Sequence, residues 1–178
     1  MSSQSRGRNQ MRMAMETRRI GSGPSHRDQF FWSIRGLQSV LDEINGTWAI
    51  RIGVTSPQLI MMFALRDFDA QGDGLPVKEV ARILSVDPAF VTTQSKILGA
   101  KGLVSRTSSS EDGRVVRLSL SDKALKQLVN LSPHQNKLTD YIFAELTEQG
   151  IQSLVSKVFA LKIRMEKASA IASIDLDD

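Results

Sequence analysis

Between Val77 and Ser121 the chain runs "VKEVARILSVDPAFVTTQSKILGAKG" and then "LVSRTSSSEDGRVVRLSLS". Two short helical segments are followed at once by an alternating pair of strands, an order that leaves few ways to fold. The first segment turns Val77, Val80, Ala81 and Leu84 to one side. The second opens on Asp87-Pro88, a capping residue followed by proline at the first helical position, and stops at Gly102. In the strands, Val116, Leu118 and Leu120 alternate onto one face, and Asp112-Gly113 is a favoured turn pair. Elements this short bury their faces only against each other and against flanking helices.

The order predicts a helix-turn-helix closed by a β-hairpin wing, within a mainly α chain. Just upstream, "SPQLIMMFALRDFDA" reads as a helix with Ser56 as N-cap and Pro57 at its first position. Downstream, Ser121 is placed to cap "DKALKQLVNL", which Pro133 would interrupt or kink. From Asp28 the apolar positions Phe30, Ile34, Leu37, Leu41, Ile44 and Trp48 are spaced by fours and threes, with Asn45-Gly46 read as the stop. Ile151, Leu154, Val158, Leu161, Met165, Ala168 and Ala172 repeat the pattern near the other end, widened by Val155 and Phe159. Such stripes either cover their own core or pair across a two-fold axis, and two long seams flanking a compact centre favour a homodimer. The expected organisation is a flexible basic arm over 1–27, an N-terminal dimerisation helix over 28–55, a winged helix-turn-helix over 56–121, C-terminal dimerisation helices over 122–172 and an acidic tail over 173–178.

The charge is concentrated. Residues 1–27 carry six arginines against one glutamate, and residues 76–118 carry seven basic against four acidic side chains. Residues 28–75 are acidic, three basic against six, so the net charge of +4 does not describe the distribution. A basic tail and a basic centre suit a polyanionic partner. An arginine-rich start also fits an organellar transit peptide, but the Gly-Ser-Gly-Pro break at residues 21–24 favours an arm. Cysteine is absent, which excludes disulfides, thiolate nucleophiles and thiol oxidation as a switch. Two histidines far apart make no zinc site. No apolar run nears the roughly 20 residues of a membrane span, and no signal peptide is visible, so a cytoplasmic protein is expected. No nucleophile motif, metal cluster or phosphate loop points to an enzyme or a cofactor. "DFDAQGDGLPVK" superficially matches a calcium loop, but Lys78 stands where the twelfth position needs a glutamate.

A helix about 10–12 Å across fits the major groove of B-DNA. On the segment from Asp87 to Lys101, Val91, Ser95 and Leu98 fall on the domain side, whereas Ala89, Thr92, Thr93 and Lys96, flanked by Gln94, face away. Threonine and glutamine meet base edges, and lysine meets guanine or phosphate. A merely solvated face is the alternative, although such a face usually carries more Glu and Lys and fewer of the weakly helical threonines. Beside that helix, Arg114 near the hairpin turn can enter a minor groove, with Asp112 close enough to orient it and Ser109 at the tip. Lys101 and Arg106 complete the expected DNA-binding set. A winged-helix module that binds protein instead would show an acidic or apolar recognition face.

"VTSPQ", "VKEVARILSVDPAFVTTQSKILGAKGLVSR" and "SSSEDGRVVRLSLSDKA" together resemble the MarR family of bacterial transcription regulators, over roughly residues 30–170. Asp112 and Arg114 match the family's wing D-x-R, Leu120-Ser121 its Leu-Thr, and Gly102-Leu103-Val104 with Arg106 its Gly-Leu-Ile-x-Arg. Phe90 replaces a usual threonine, Thr93 a common basic residue and Ala124 a frequent glycine, which bears on the bases read. The resemblance implies a homodimer on a palindromic double-stranded operator, usually repressing, with recognition helices about 34–36 Å apart. It also implies a small-molecule effector pocket between the dimerising helices and the winged domain, lined by Trp32, Trp48, Arg51 and Phe63. An aromatic acid or its thioester is the expected ligand, with Arg51 as carboxylate partner. Plain core is the alternative for both tryptophans.

Overall fold

A computed structural model of the chain describes residues 23–108 and 112–174; the basic arm through residue 22, Ser109 at the hairpin tip and the last four residues lie outside the described residues. The helices are α1 (His26–Ile52), α2 (Ser56–Phe68), α3 (Val77–Leu84), α4 (Pro88–Ala100), α5 (Asp122–Ile142) and α6 (Glu148–Ile174). The strands are β1 (Leu75–Pro76), β2 (Val104–Ser108) and β3 (Val116–Leu120). They form one antiparallel sheet in the order β1-β3-β2, the mainly helical winged architecture expected.

The chain divides into two compact units, through Leu125 and from Lys126. In the first, α2 is the central core helix. Leu59, Met61, Met62 and Leu65 are buried on it, joined by Val80 and Ala81 of α3, Val91 and Leu98 of α4, and Leu118 of β3. Each buried Leu, Met or Val contributes about 1.5–3 kcal/mol relative to exposure. The inward sides expected for α3 and α4 are the ones observed, Ser95 included. β2 pairs with β3 from Val104–Leu120 to Ser108–Val116.

Several local readings need correction. α1 does not stop at Asn45-Gly46; it runs on to Ile52 and ends at Gly53, whose φ of 76° is the left-handed conformation that favours glycine. An internal glycine costs a helix only about 1 kcal/mol, and the packing of α1 on α2, with Ala49 buried and Trp48 against Phe63, outweighs that. At its start, α1 takes in His26 and Arg27, because Ser25 and Asp28 form a reciprocal capping box. Thr55 rather than Ser56 is the N-cap of α2. β1 has no signature in the sequence: two residues carry no alternation, and the strand exists because Leu75 pairs with Leu118 of β3. Pro133 does not interrupt α5, which continues for nine residues beyond it.

In the second unit, Leu128 and Leu131 of α5 are buried. The Thr147 side chain accepts the Gly150 N–H at 3.1 Å and so caps α6. α1 and α6 each leave large apolar side chains open to solvent: Phe31, Leu37, Val40 and Leu41 on α1, and Val155, Val158, Phe159 and Met165 on α6. Among the described residues no single helix is long and apolar enough to cross a membrane.

Candidate nucleic-acid interface

α4 is positioned from both ends. Asp87 Oδ1 accepts the Ala89 N–H at 2.6 Å, fixing the N-terminus. At the far end Gly102, at φ 68°, turns the chain into β2. Buried Val91, Ser95 and Leu98 fix the rotation of the helix, and Ala89, Thr93 and Lys96 stand exposed on the opposite side. Thr93, exposed, donates its Oγ1 to the Ala89 carbonyl at 3.0 Å. Thr92 is half-buried and faces the wing.

The wing turn is closed by Asp112. Its carboxylate accepts the Arg114 main-chain N–H at 2.9 Å and its carbonyl accepts from Val115 at 2.9 Å. Asp112 therefore orients Arg114 through the backbone, whereas the sequence suggested the guanidinium. Between wing and α4 lies an open cleft of about 660 Å³ whose polar lining is Lys78, Thr92, Arg106, Asp112 and Arg114. Three cations against one carboxylate make it an anion-attracting groove. Sequence reasoning misses Lys78; only the two-residue pairing of β1 brings the start of α3 to the cleft. The nearby Arg82 is paired with Glu79, and that hydrogen bond, then the charge, holds the Glu79 carboxyl below its usual range.

Three of the expected DNA-contacting residues are bonded to other parts of the protein. Arg106 Nη1 donates to Ser95 Oγ and, at 3.5 Å, to the Thr92 carbonyl. Lys101 Nζ donates to the Gly53 carbonyl at 2.6 Å. Gln94 Oε1 accepts from Gln58 Nε2 at 3.0 Å. Ser109 lies outside the described residues.

The expected effector-pocket residues do not all meet. Trp48 and Phe63 stand edge to face with centroids 6.4 Å apart, and the Arg66 guanidinium lies 4.9 Å over Phe63. Arg51 is exposed one turn beyond Trp48. Trp32, 68% exposed, lies on the same helix about 24 Å from Trp48 at 1.5 Å rise per residue. The acidic connector also has other uses: Asp69 Oδ2 accepts the Gly74 N–H at 3.0 Å, and Asp67 pairs with Arg66. Among the described residues no group of three His, Asp or Glu is placed to hold a metal ion.

Residues 55–116, from the cap of α2 to the start of β3, match the MarR family model. Over this segment, about a third of the chain, the sequence is similar to the MarR family. The chain is 37% identical over 71 residues to the HTH-type transcriptional repressor MdtR of Bacillus subtilis (strain 168), an alignment covering 40% of this chain. It spans only 43% of that relative's length. The fold is similar to that of S. aureus MepR in its DNA-binding conformation, with a TM-score of 0.69 at 15% identity over 76% of this chain and 98% of that one. It is also similar to AbsC, a MarR family regulator from Streptomyces coelicolor, with a TM-score of 0.67 at 15% identity over 82% of this chain and 99% of that one.

Proposed function

We propose that the chain is a sequence-specific, double-stranded DNA-binding transcriptional regulator that acts as a homodimer. One α4 enters the major groove of each half-site of a palindromic operator, and Arg114 of the wing reaches the flanking minor groove. The observation that carries the reading is the cleft between α4 and the wing, with Lys78, Arg106 and Arg114 on its lining and Ala89, Thr93 and Lys96 exposed on the helix beside it. Ala89 and the Thr93 methyl suit thymine methyls, Thr92 either base edges or phosphate, and Lys96 guanine or phosphate. The exposed apolar stripes of α1 and α6 support the dimer, each awaiting a second copy. Repression is the favoured direction, because the relative matched over 71 residues is a repressor.

Release by a small molecule belongs to the same reading. Trp48 and Phe63, with Arg51 and Arg66 close in sequence, offer an aromatic wall and cationic partners for an aromatic carboxylate or its thioester. A ligand that favours a spacing of the lobes unsuited to DNA would lower operator affinity by its differential affinity for that state. A panel of aromatic carboxylates and thioesters scored by melting-temperature shift tests this arm; no shift at millimolar ligand removes it.

The deciding experiment selects duplexes from a randomised pool with the full chain and measures binding from 50 to 200 mM salt. Neutralising about six to ten phosphates costs roughly 10³–10⁵ in affinity over that range. Lack of enrichment, or affinity indifferent to salt, refutes DNA binding and leaves a protein-binding winged helix as the reading.

A further inference from the structure

Gln58 is a polar residue inside an apolar helix, only 3% exposed among Leu59, Met61 and Met62. A buried amide needs partners, and it has two. The Thr55 main-chain N–H donates to Gln58 Oε1 at 3.2 Å, and Gln58 Nε2 donates to Gln94 Oε1 of α4 at 3.0 Å. The direction of this relay is forced. A main-chain N–H only donates, so Gln58 must turn its oxygen to Thr55 and its nitrogen to α4. The second tie lies seven residues further along the chain, where Lys101 Nζ meets the Gly53 carbonyl at 2.6 Å. That carbonyl is at the C-terminal end of α1, where a cation is favoured by the helix dipole. α4 is thus held, at two points about 10 Å apart along its axis, to the short corner of residues 53–58 that joins α1 to α2.

We propose that these two bonds lock the recognition helix to the α1–α2 corner, so that Gln94 and Lys101 are positioning residues for operator binding and do not touch DNA. The inference rests on the DNA-binding reading above. Base recognition depends on the angle at which α4 presents Ala89, Thr93 and Lys96, and α1 bears one of the exposed apolar stripes. The corner therefore passes any displacement of α1 directly to α4.

The test uses a duplex enriched from a randomised pool by the wild-type chain, beside a scrambled duplex. Lys96→Met serves as the comparator and should lower the slope of log K against log[salt] by about 0.9, the signature of one phosphate contact. Lys101→Met should leave that slope unchanged yet weaken binding to the enriched duplex relative to the scrambled one by about fivefold, the worth of one ordinary hydrogen bond. Gln94→Ala should give the same loss of selectivity, and it provides an independent measure should Lys101→Met fail to fold. A slope reduced by about 0.9 in Lys101→Met overturns the lock while DNA binding stands, as does Gln94→Ala with undiminished selectivity. If the wild-type chain enriches no duplex, the DNA reading fails and the lock with it.

Discussion

Gly74 carries the sharpest stability prediction. It is buried at φ +77°, and a Cβ built there would lie 2.9 Å from the Leu118 carbonyl oxygen and 3.1 Å from the carbonyl carbon. These are backbone atoms of β3, so no side-chain rotation relieves the contact. A β-carbon in the left-handed region costs about 1–2 kcal/mol, and forcing a packed backbone apart adds about 1–3 kcal/mol. Restricting the unfolded chain returns about 0.4–1 kcal/mol, so Gly74→Ala should cost about 1–4.5 kcal/mol. Gly72 is the internal control, since its φ is +76° and a Cβ placed there would meet nothing within 4 Å; Gly72→Ala should cost no more than about 1–1.5 kcal/mol. With urea slopes of about 1–3 kcal/mol per molar, the two midpoints should differ by about 1 M at matched protein concentration. Equal midpoints would refute the claim that close approach of β1 to β3 demands glycine. Selectivity for the enriched duplex should also suffer in Gly74→Ala, because Arg117 holds the Asp73 and Gly74 carbonyls at 2.9 and 2.7 Å and thereby ties the wing to the loop before α3.

Three further outcomes are expected. Asp87→Ala removes the acceptor of the Ala89 N–H and should cost about 0.5–2 kcal/mol; an unchanged thermal midpoint would mean that the cap does not anchor α4. Phe159→Glu places a charge in the exposed stripe of α6, where Phe159 is 62% exposed; sedimentation should detect loss of the proposed dimer with the helix content kept, and an intact dimer would put the interface elsewhere. The Glu79 carboxyl, hydrogen-bonded by Arg82, should titrate below an ordinary glutamate by NMR and return to the ordinary range in Arg82→Ala. Its folded-state value is depressed, so its small contribution is present above the unfolded value and fades as pH falls through the folded one; an unmoved titration in Arg82→Ala would dismiss the pair.

The elements that can be read from the chain are those whose signals are local. Asp87-Pro88 and Gly102 bracket α4 because capping chemistry is carried by one or two residues. Val91, Ser95 and Leu98 face inward because helical periodicity needs no knowledge of the partner. Gly46 misleads for the same reason in reverse: Asn-Gly is a stop only where nothing packs around it, and here buried Ala49 and the Trp48–Phe63 contact hold α1 together past it. β1 escapes because a two-residue strand exists only through its partner.

The site residues divide along the same line, and this division carries a functional consequence. A lysine or glutamine on a recognition helix looks like a DNA contact whenever its neighbours are the only information. Lys101 and Gln94 are met by Gly53 and Gln58, which lie 48 and 36 residues away; no periodicity or charge count reports such pairings. Arg106, 11 residues from Ser95, lines the cleft but commits its Nη1 to Ser95 and the Thr92 carbonyl of α4, a pairing that a charge count does not report. What is exposed on α4 includes Ala89, Phe90, Thr93, Lys96 and Ile97, with Thr92 toward the wing. The cation among them is Lys96, so on the proposed reading base discrimination by α4 comes mainly from apolar, methyl and hydroxyl contacts. Strong charge-assisted contacts then fall to Lys96 and to the wing's Arg114. On that division, exchanging Thr93 should alter which duplexes are enriched without changing the salt slope, while exchanging Arg114 for alanine should lower the slope by about one; the opposite pattern would return sequence reading to the wing.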